Sequence, residues 1–155
     1  MKFRIVAVGL RPPEWVSAGF ADYARRLPRE LALRLTEIPV APRKQLPVER
    51  ARRQEGERIL GELTPRDWVV ALDVAGRSIT TEVLAEKLAG WQMQGRDVAF
   101  LIGGPDGLDS DCLARADERL SLSALTFPHG LVRVMLAEQL YRAWTLRSGH
   151  PYHRA

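Results

Sequence analysis

Apolar and polar positions alternate between two periods along this chain. Residues 3–9, FRIVAVG, run from alternation into an apolar stretch and predict a first strand. Pro12-Pro13 then opens a helix in which Trp15, Phe20, Tyr23 and Ala24 recur at helical spacing until Pro28 interrupts it. Leu31, Leu33 and Leu35 alternate up to Ile38-Pro39 as a second strand. Pro42 and Pro47 bracket a loop rich in positive charge, and residues 49–63 form an Arg-rich helix closed by Thr64-Pro65. Residues 68–72 and 98–102 are near-continuous apolar runs, the signature of strands buried on both faces of a parallel sheet. Asp73 and Gly76 end the first of these runs, and Thr80 and Thr81 start the helix between them. A short helix near 110–117, a fifth strand over 120–126 and a long amphipathic helix over 131–147 complete the order. That helix is expected to expose Arg133, Glu138, Arg142 and Arg147 and to turn Leu131, Val134, Leu136, Leu140 and Trp144 toward a core or partner. The whole predicts one α/β domain, residues 1–155, with a mostly parallel five-stranded sheet.

Composition narrows the functional classes. With 46% hydrophobic and 27% charged residues in 155, the chain has the balance of an ordinary globular domain. Its apolar runs fall far short of the roughly 20 residues of a membrane span, and the N-terminal run is too short for a secretory signal. Cys112 stands alone, so no internal disulfide forms, and no Cys/His set has metal-ligand spacing. These features predict a soluble cytoplasmic protein without a membrane or metal partner.

The net charge is +4, and 20 of the 23 basic residues are arginine. Arginine binds phosphate bidentately, which suits an RNA or nucleotide partner, although a coding bias toward arginine gives the same composition. The first 60 residues carry 13 basic against 7 acidic side chains, and the middle of the chain reverses the sign. The excess therefore lies at the two ends, as expected if one face meets a polyanion.

Three segments offer chemistry. In FLIGGPDGL, three glycines within five residues follow the fourth strand, where open α/β sheets bind ligands at their carboxyl edge. The spacing is neither a dinucleotide fingerprint nor a P-loop, so taken alone the segment reads first as a tight strand-to-helix turn and second as a ligand cradle. After the fifth strand, SLSALTFPH mixes hydroxyl and apolar residues, which fits either an adenine pocket or local Ser/Thr turns. His129, at the start of the last helix, titrates near neutrality or serves the structure. The terminal HPYHR groups aromatic, imidazole and guanidinium side chains that suit base stacking and phosphate contact, or a docked tail.

The segments GGPDGL, SLSALTFPHGLVRVMLAEQLYRAW and HPYHR, with KFRIVAVG, LPRELALRLTEIP and EGERIL, resemble the bacterial ribosomal RNA large-subunit methyltransferase H family of the SPOUT class over essentially the whole chain. Gly130 departs from it, standing where the family has a bulkier residue or proline. The resemblance implies a trefoil-knotted α/β fold, a homodimer, S-adenosyl-L-methionine as methyl donor, and methylation of N3 of a pseudouridine in 23S rRNA of the assembled ribosome. It further implies cofactor contacts at Leu72, Gly103, Gly104, Leu122, Ser123, Ala124, Leu125, Thr126 and Phe127. His129 and Glu138 become base candidates, Arg133 and Arg142 candidates for stabilising an anionic base, and Tyr152, His153 and Arg154 candidates for gripping the target nucleotide. A non-enzymatic RNA-binding module and an enzyme acting on a small nucleotide are the rival classes.

Overall fold

A computed structural model describes the backbone of residues 1–154 and the side chains through Tyr152. Five strands, β1 (Phe3–Val8), β2 (Leu33–Ile38), β3 (Trp68–Ser78), β4 (Val98–Ile102) and β5 (Glu118–Ser121), pair in the order β2-β1-β4-β3-β5, every pair parallel. The helices are α1 (Glu14–Ala24), α2 (Val48–Gly61), α3 (Thr81–Gln94), α4 (Ser110–Arg115) and α5 (His129–Ser148). Short 3₁₀ turns at Arg29–Leu31 and Pro151–Arg154 precede β2 and end the described chain.

The period-two rule explains the layers. On β1, Phe3, Ile5 and Ala7 point to one face, where Leu88, Trp91, Leu136 and Leu140 from α3 and α5 pack with Phe100 and Val70. Val6 and Val8 point to the other face, against Ile59 of α2 and Cys112 of α4. The sheet thus lies between α1, α3 and α5 on one side and α2 and α4 on the other. Thr80 caps α3 by accepting from the Val83 amide at 3.1 Å, and Asp109 caps α4 through the Cys112 amide at 3.0 Å. Left-handed Gly95 and Gly149 end α3 and α5.

Two elements depart from the pattern-based expectation. The fifth strand comes earlier and is shorter than 120–126, and residues 122–128 form an irregular loop. Glu118 starts this strand because its carboxylate accepts from the Trp68 and Trp91 indoles at 2.6 and 3.0 Å and pairs with Lys87 at 2.6 Å. Burial pushes that carboxyl up, but Lys87 and the two indole N–H groups outweigh it and hold it below its ordinary range. β3, for its part, continues past Asp73 to Ser78 after an irregularity between Leu72 and Arg77 in its pairing with β5. Gly76 makes this possible: a Cβ there would lie 2.9 Å from the backbone of Arg119 and Leu120.

Candidate active site

The glycine turn is built by its own backbone. β4 delivers the chain into Gly103-Gly104-Pro105-Asp106-Gly107, and the Gly107 amide donates to the Gly104 carbonyl at 3.1 Å. Gly107 has φ +79°, which favours glycine. A Cβ on Gly103 would sit 2.7 Å from the Gly107 carbonyl oxygen, so closing the turn already demands glycine there. The inner edge of the turn nevertheless lines a cleft of about 370 Å³ at the carboxyl ends of β3, β4 and β5. The structural and ligand-cradling readings of this turn are therefore compatible.

The opposite wall is the loop after β5. The Ser121 hydroxyl donates to the Ser123 carbonyl at 2.9 Å, and the Ser123 hydroxyl accepts from the Leu125 amide at 3.0 Å. This curls the loop so that Leu122, Ser123, Leu125, Thr126 and Phe127 face the cleft. Leu72, Gly103 and Gly104 complete the set of sequence candidates that line it; Ala124 is exposed and does not. The sequence reading missed Asp73, Val74, Leu108 and Val132, which also line the cleft. Asp73 supplies the one carboxylate among the lining residues. Its position directly after an apolar strand was the available signal, read only as a strand terminator.

His129 opens α5 at the cleft mouth. Burial lowers its pKa below the ordinary 6.5, and the nearby Arg133 charge lowers it further against a weaker pull from Glu55. The imidazole is therefore held neutral and able to accept a proton. Arg133 corrects the periodicity-based expectation that it is exposed: it is only 1% accessible. Its guanidinium pairs with Glu37 at 2.6 Å and donates to the Gly9 carbonyl at 2.7 Å, tying α5 to the ends of β1 and β2. In this chain Arg133 is a buried strut behind the site. Gly130 is the second residue of α5, and a Cβ there would make ordinary contact with Val16 at 3.5 Å.

Glu138 and Arg142 lie nine and thirteen positions along α5 from His129, roughly 14 and 20 Å at about 1.5 Å per residue. Arg142 donates to Glu138 at 2.6 Å, and the Tyr152 hydroxyl reaches the same carboxylate oxygen at 3.4 Å. The Tyr152 ring packs 4.7 Å from Tyr141 and under the Arg142 guanidinium at 5.0 Å. Burial, then Tyr23 and the Glu138 charge, push its hydroxyl up to about 12. Tyr152 is thus docked on its own helix, whereas the side chains of His153 and Arg154 lie outside the described residues. One chain therefore holds two separate groups: the cleft with His129, and the Glu138–Arg142–Tyr152 cluster. Between α1 and the start of α5, a second apolar groove of about 240 Å³ adjoins His129; Leu131 lines it together with Leu10 and a 61% exposed Trp15.

Comparison with known proteins adds the lineage. A family described as "Predicted SPOUT methyltransferase" matches residues 1–153. The ribosomal RNA large subunit methyltransferase H of Saccharophagus degradans is 56% identical over 155 residues, covering 99% of this chain and all of that one. The protein of the same name from Azotobacter vinelandii is 54% identical with the same coverage. A probable methylase family protein from Haemophilus influenzae superposes with a TM-score of 0.58 at 14% identity, over 97% of this chain and 69% of that one. This last likeness concerns the fold.

Proposed function

The chain belongs to the SPOUT methyltransferase family, and on that premise we propose that it is an S-adenosyl-L-methionine-dependent enzyme that methylates N3 of a pseudouridine in 23S rRNA of the assembled ribosome. The observation that carries this reading is the convergence of eight of the nine candidate cofactor residues on one cleft at the carboxyl edge of the sheet. The names of full-length relatives at 54–56% identity support the ribosomal RNA substrate.

The residues present fit the cofactor. The cleft has the size of a small-molecule site, apolar walls, and the backbone of the glycine turn along one edge. Leu72, Leu122, Leu125 and Phe127 would enclose the adenosine, with Gly103, Gly104, Ser123 and Thr126 offering backbone and hydroxyl groups. Asp73 would complement a positive charge in the cleft. When bound, the cofactor supplies an activated methyl group on a sulfonium centre. The protein's task is then alignment of the acceptor and management of its proton. The neutral imidazole of His129 is suited to take the N3 proton as the acceptor becomes nucleophilic. Glu138 and Arg142 would act from a second copy of the chain, because α5 keeps them away from the cleft of their own, and the tail residues Tyr152, His153 and Arg154 would act with them. The exposed groove of Leu10, Trp15 and Leu131 beside His129 supports such a homodimer. The trefoil knot implied by the family resemblance belongs to this reading, as does a cytoplasmic location with the ribosome.

The test is methyl transfer from labelled cofactor to assembled ribosomes, separated subunits and free rRNA. We expect incorporation into 23S rRNA of assembled ribosomes, blocked when N3 of the target is already methylated. Labelling of free nucleotides in preference to ribosomes would overturn the reading.

A further inference from the structure

Beside the glycine turn, and not lining the cleft, lies a densely bonded cluster of charged side chains. Glu55 of α2 is buried, and its carboxylate accepts from the Ala41 amide at 3.0 Å. Arg43, in the basic loop after β2, pairs with both Glu55 oxygens. The same guanidinium donates to the Ala41 carbonyl at 2.9 Å and, through Nε and Nη2, to the Asp106 carboxylate at 3.1 and 3.0 Å. All five N–H donors of Arg43 thus have acceptors, a fork that lysine cannot reproduce. Arg52 adds a bond of 3.3 Å to the Asp106 carbonyl. Asp106 is the tip of the turn whose neighbours Gly104, Pro105 and Gly107 line the cleft, while Asp106 itself does not line it. Underneath, Gly104 has no room to shift: a Cβ there would lie 2.8 Å from Val8 and 3.4 Å from the Glu55 carboxylate.

We propose that Arg43 is a positioning residue for the cofactor cleft, a clamp that joins buried Glu55 to Asp106 and holds the Gly104–Gly107 turn in the shape that lines it. The proposal rests on the cleft being the cofactor site. The Gly107–Gly104 backbone bond closes the turn, but its glycines bring no side-chain packing, so bonds to Asp106 from outside add the restraint they lack. The clamp does this through charge-assisted bonds to the one residue of the turn that points away from the ligand.

The test uses the full-length protein and calorimetric titration with S-adenosylhomocysteine, beside thermal melting of each variant. Asp106→Ala leaves the Arg43–Glu55 pair intact, so it remains folded and informative even where Arg43→Ala, which strands a buried carboxylate, does not fold. We expect Asp106→Ala to melt close to wild type while its Kd rises about tenfold. Arg43→Lys should weaken binding similarly, because the fork is lost although the charge remains. In a methylation assay the loss appears in KM for the cofactor rather than in kcat. A double change, Arg43→Lys with Asp106→Ala, should bind no worse than the weaker single variant. Wild-type affinity in Asp106→Ala, or additive losses in the double variant, would overturn the clamp. Absence of binding to the wild-type protein would instead overturn the cofactor reading, and the clamp with it.

Discussion

The imidazole of His129 is displaced from its ordinary titration by burial first and by the Arg133 charge second, and the sign of the effect on stability follows. Its folded pKa lies below 6.5, so below pH 6.5 the unfolded chain takes up the proton first. The stability from keeping His129 neutral is complete above pH 6.5 and is lost as pH falls toward the lowered folded value. Wild-type melting temperature should therefore drop more steeply between about pH 7 and 5 than that of His129→Gln, read by parallel thermal melts. Equal slopes would exclude a half-buried imidazole held neutral by the fold. Asp73 makes a different demand, since S-adenosylmethionine is a cation at sulfur and its product is not. Asp73→Asn should weaken the substrate cofactor about threefold to tenfold more than the product, a charge effect measurable by paired titrations. Gly103 shows how a residue can mislead as a probe of binding. A methyl there meets the Gly107 carbonyl at 2.7 Å, so Gly103→Ala should cost roughly 1–3 kcal/mol in denaturant unfolding before any ligand is added.

At the scale of elements, the buried strands were legible because both of their faces are apolar: Ile5 to Val8, Val69 to Ala71 and Val98 to Ile102 need no partner information to be read. β5 was misplaced by position because its first residues, Glu118 and Arg119, are charged and become strand only through contacts from distant helices and strands. The carboxylate of Glu118 is held by Trp68, Lys87 and Trp91, up to 50 positions away, which no local pattern carries. The following residues 122–126 look like strand by composition, yet Ser121 and Ser123 bend them into a cleft wall. Arg133 was misread for the same reason, since its partner Glu37 is 96 positions earlier. The glycine turn, by contrast, announces itself locally. The register of β5 depends on Gly76, whose missing side chain lets two backbones meet at 2.9 Å. Gly76→Ala should loosen β5 and the loop after it. The expected signature is faster amide exchange over 118–128, with β1 and β4 still protected.

For the whole molecule, the separation along α5 is the organising fact. His129 opens the helix and the Glu138–Arg142–Tyr152 cluster lies nine or more positions further along, so a single chain holds the two groups apart. If two copies complete each other, light scattering should report about twice the 17.4 kDa of one chain. Mixing His129→Ala with Arg142→Ala subunits should then restore about one quarter of wild-type methylation, from the mixed dimers that retain one intact composite site. No recovery on mixing, with both variants folded and dimeric, would place all the required groups within one subunit.

The pairing of β1 carries a consequence for biosynthesis. Its first residue, Phe3, pairs with Val98, and the Lys2 amide donates to the Asp97 carboxylate, 95 positions later. At about 5–20 residues per second of translation, β1 waits roughly 5–20 seconds for β4, its second neighbour. Until β4 is made, Ile5, Val6 and Val8 have at most β2 to cover one edge, and the nascent chain offers an open apolar ladder to any other strand. A chain released early, before residue 98, should therefore be retained by holding chaperones or precipitate.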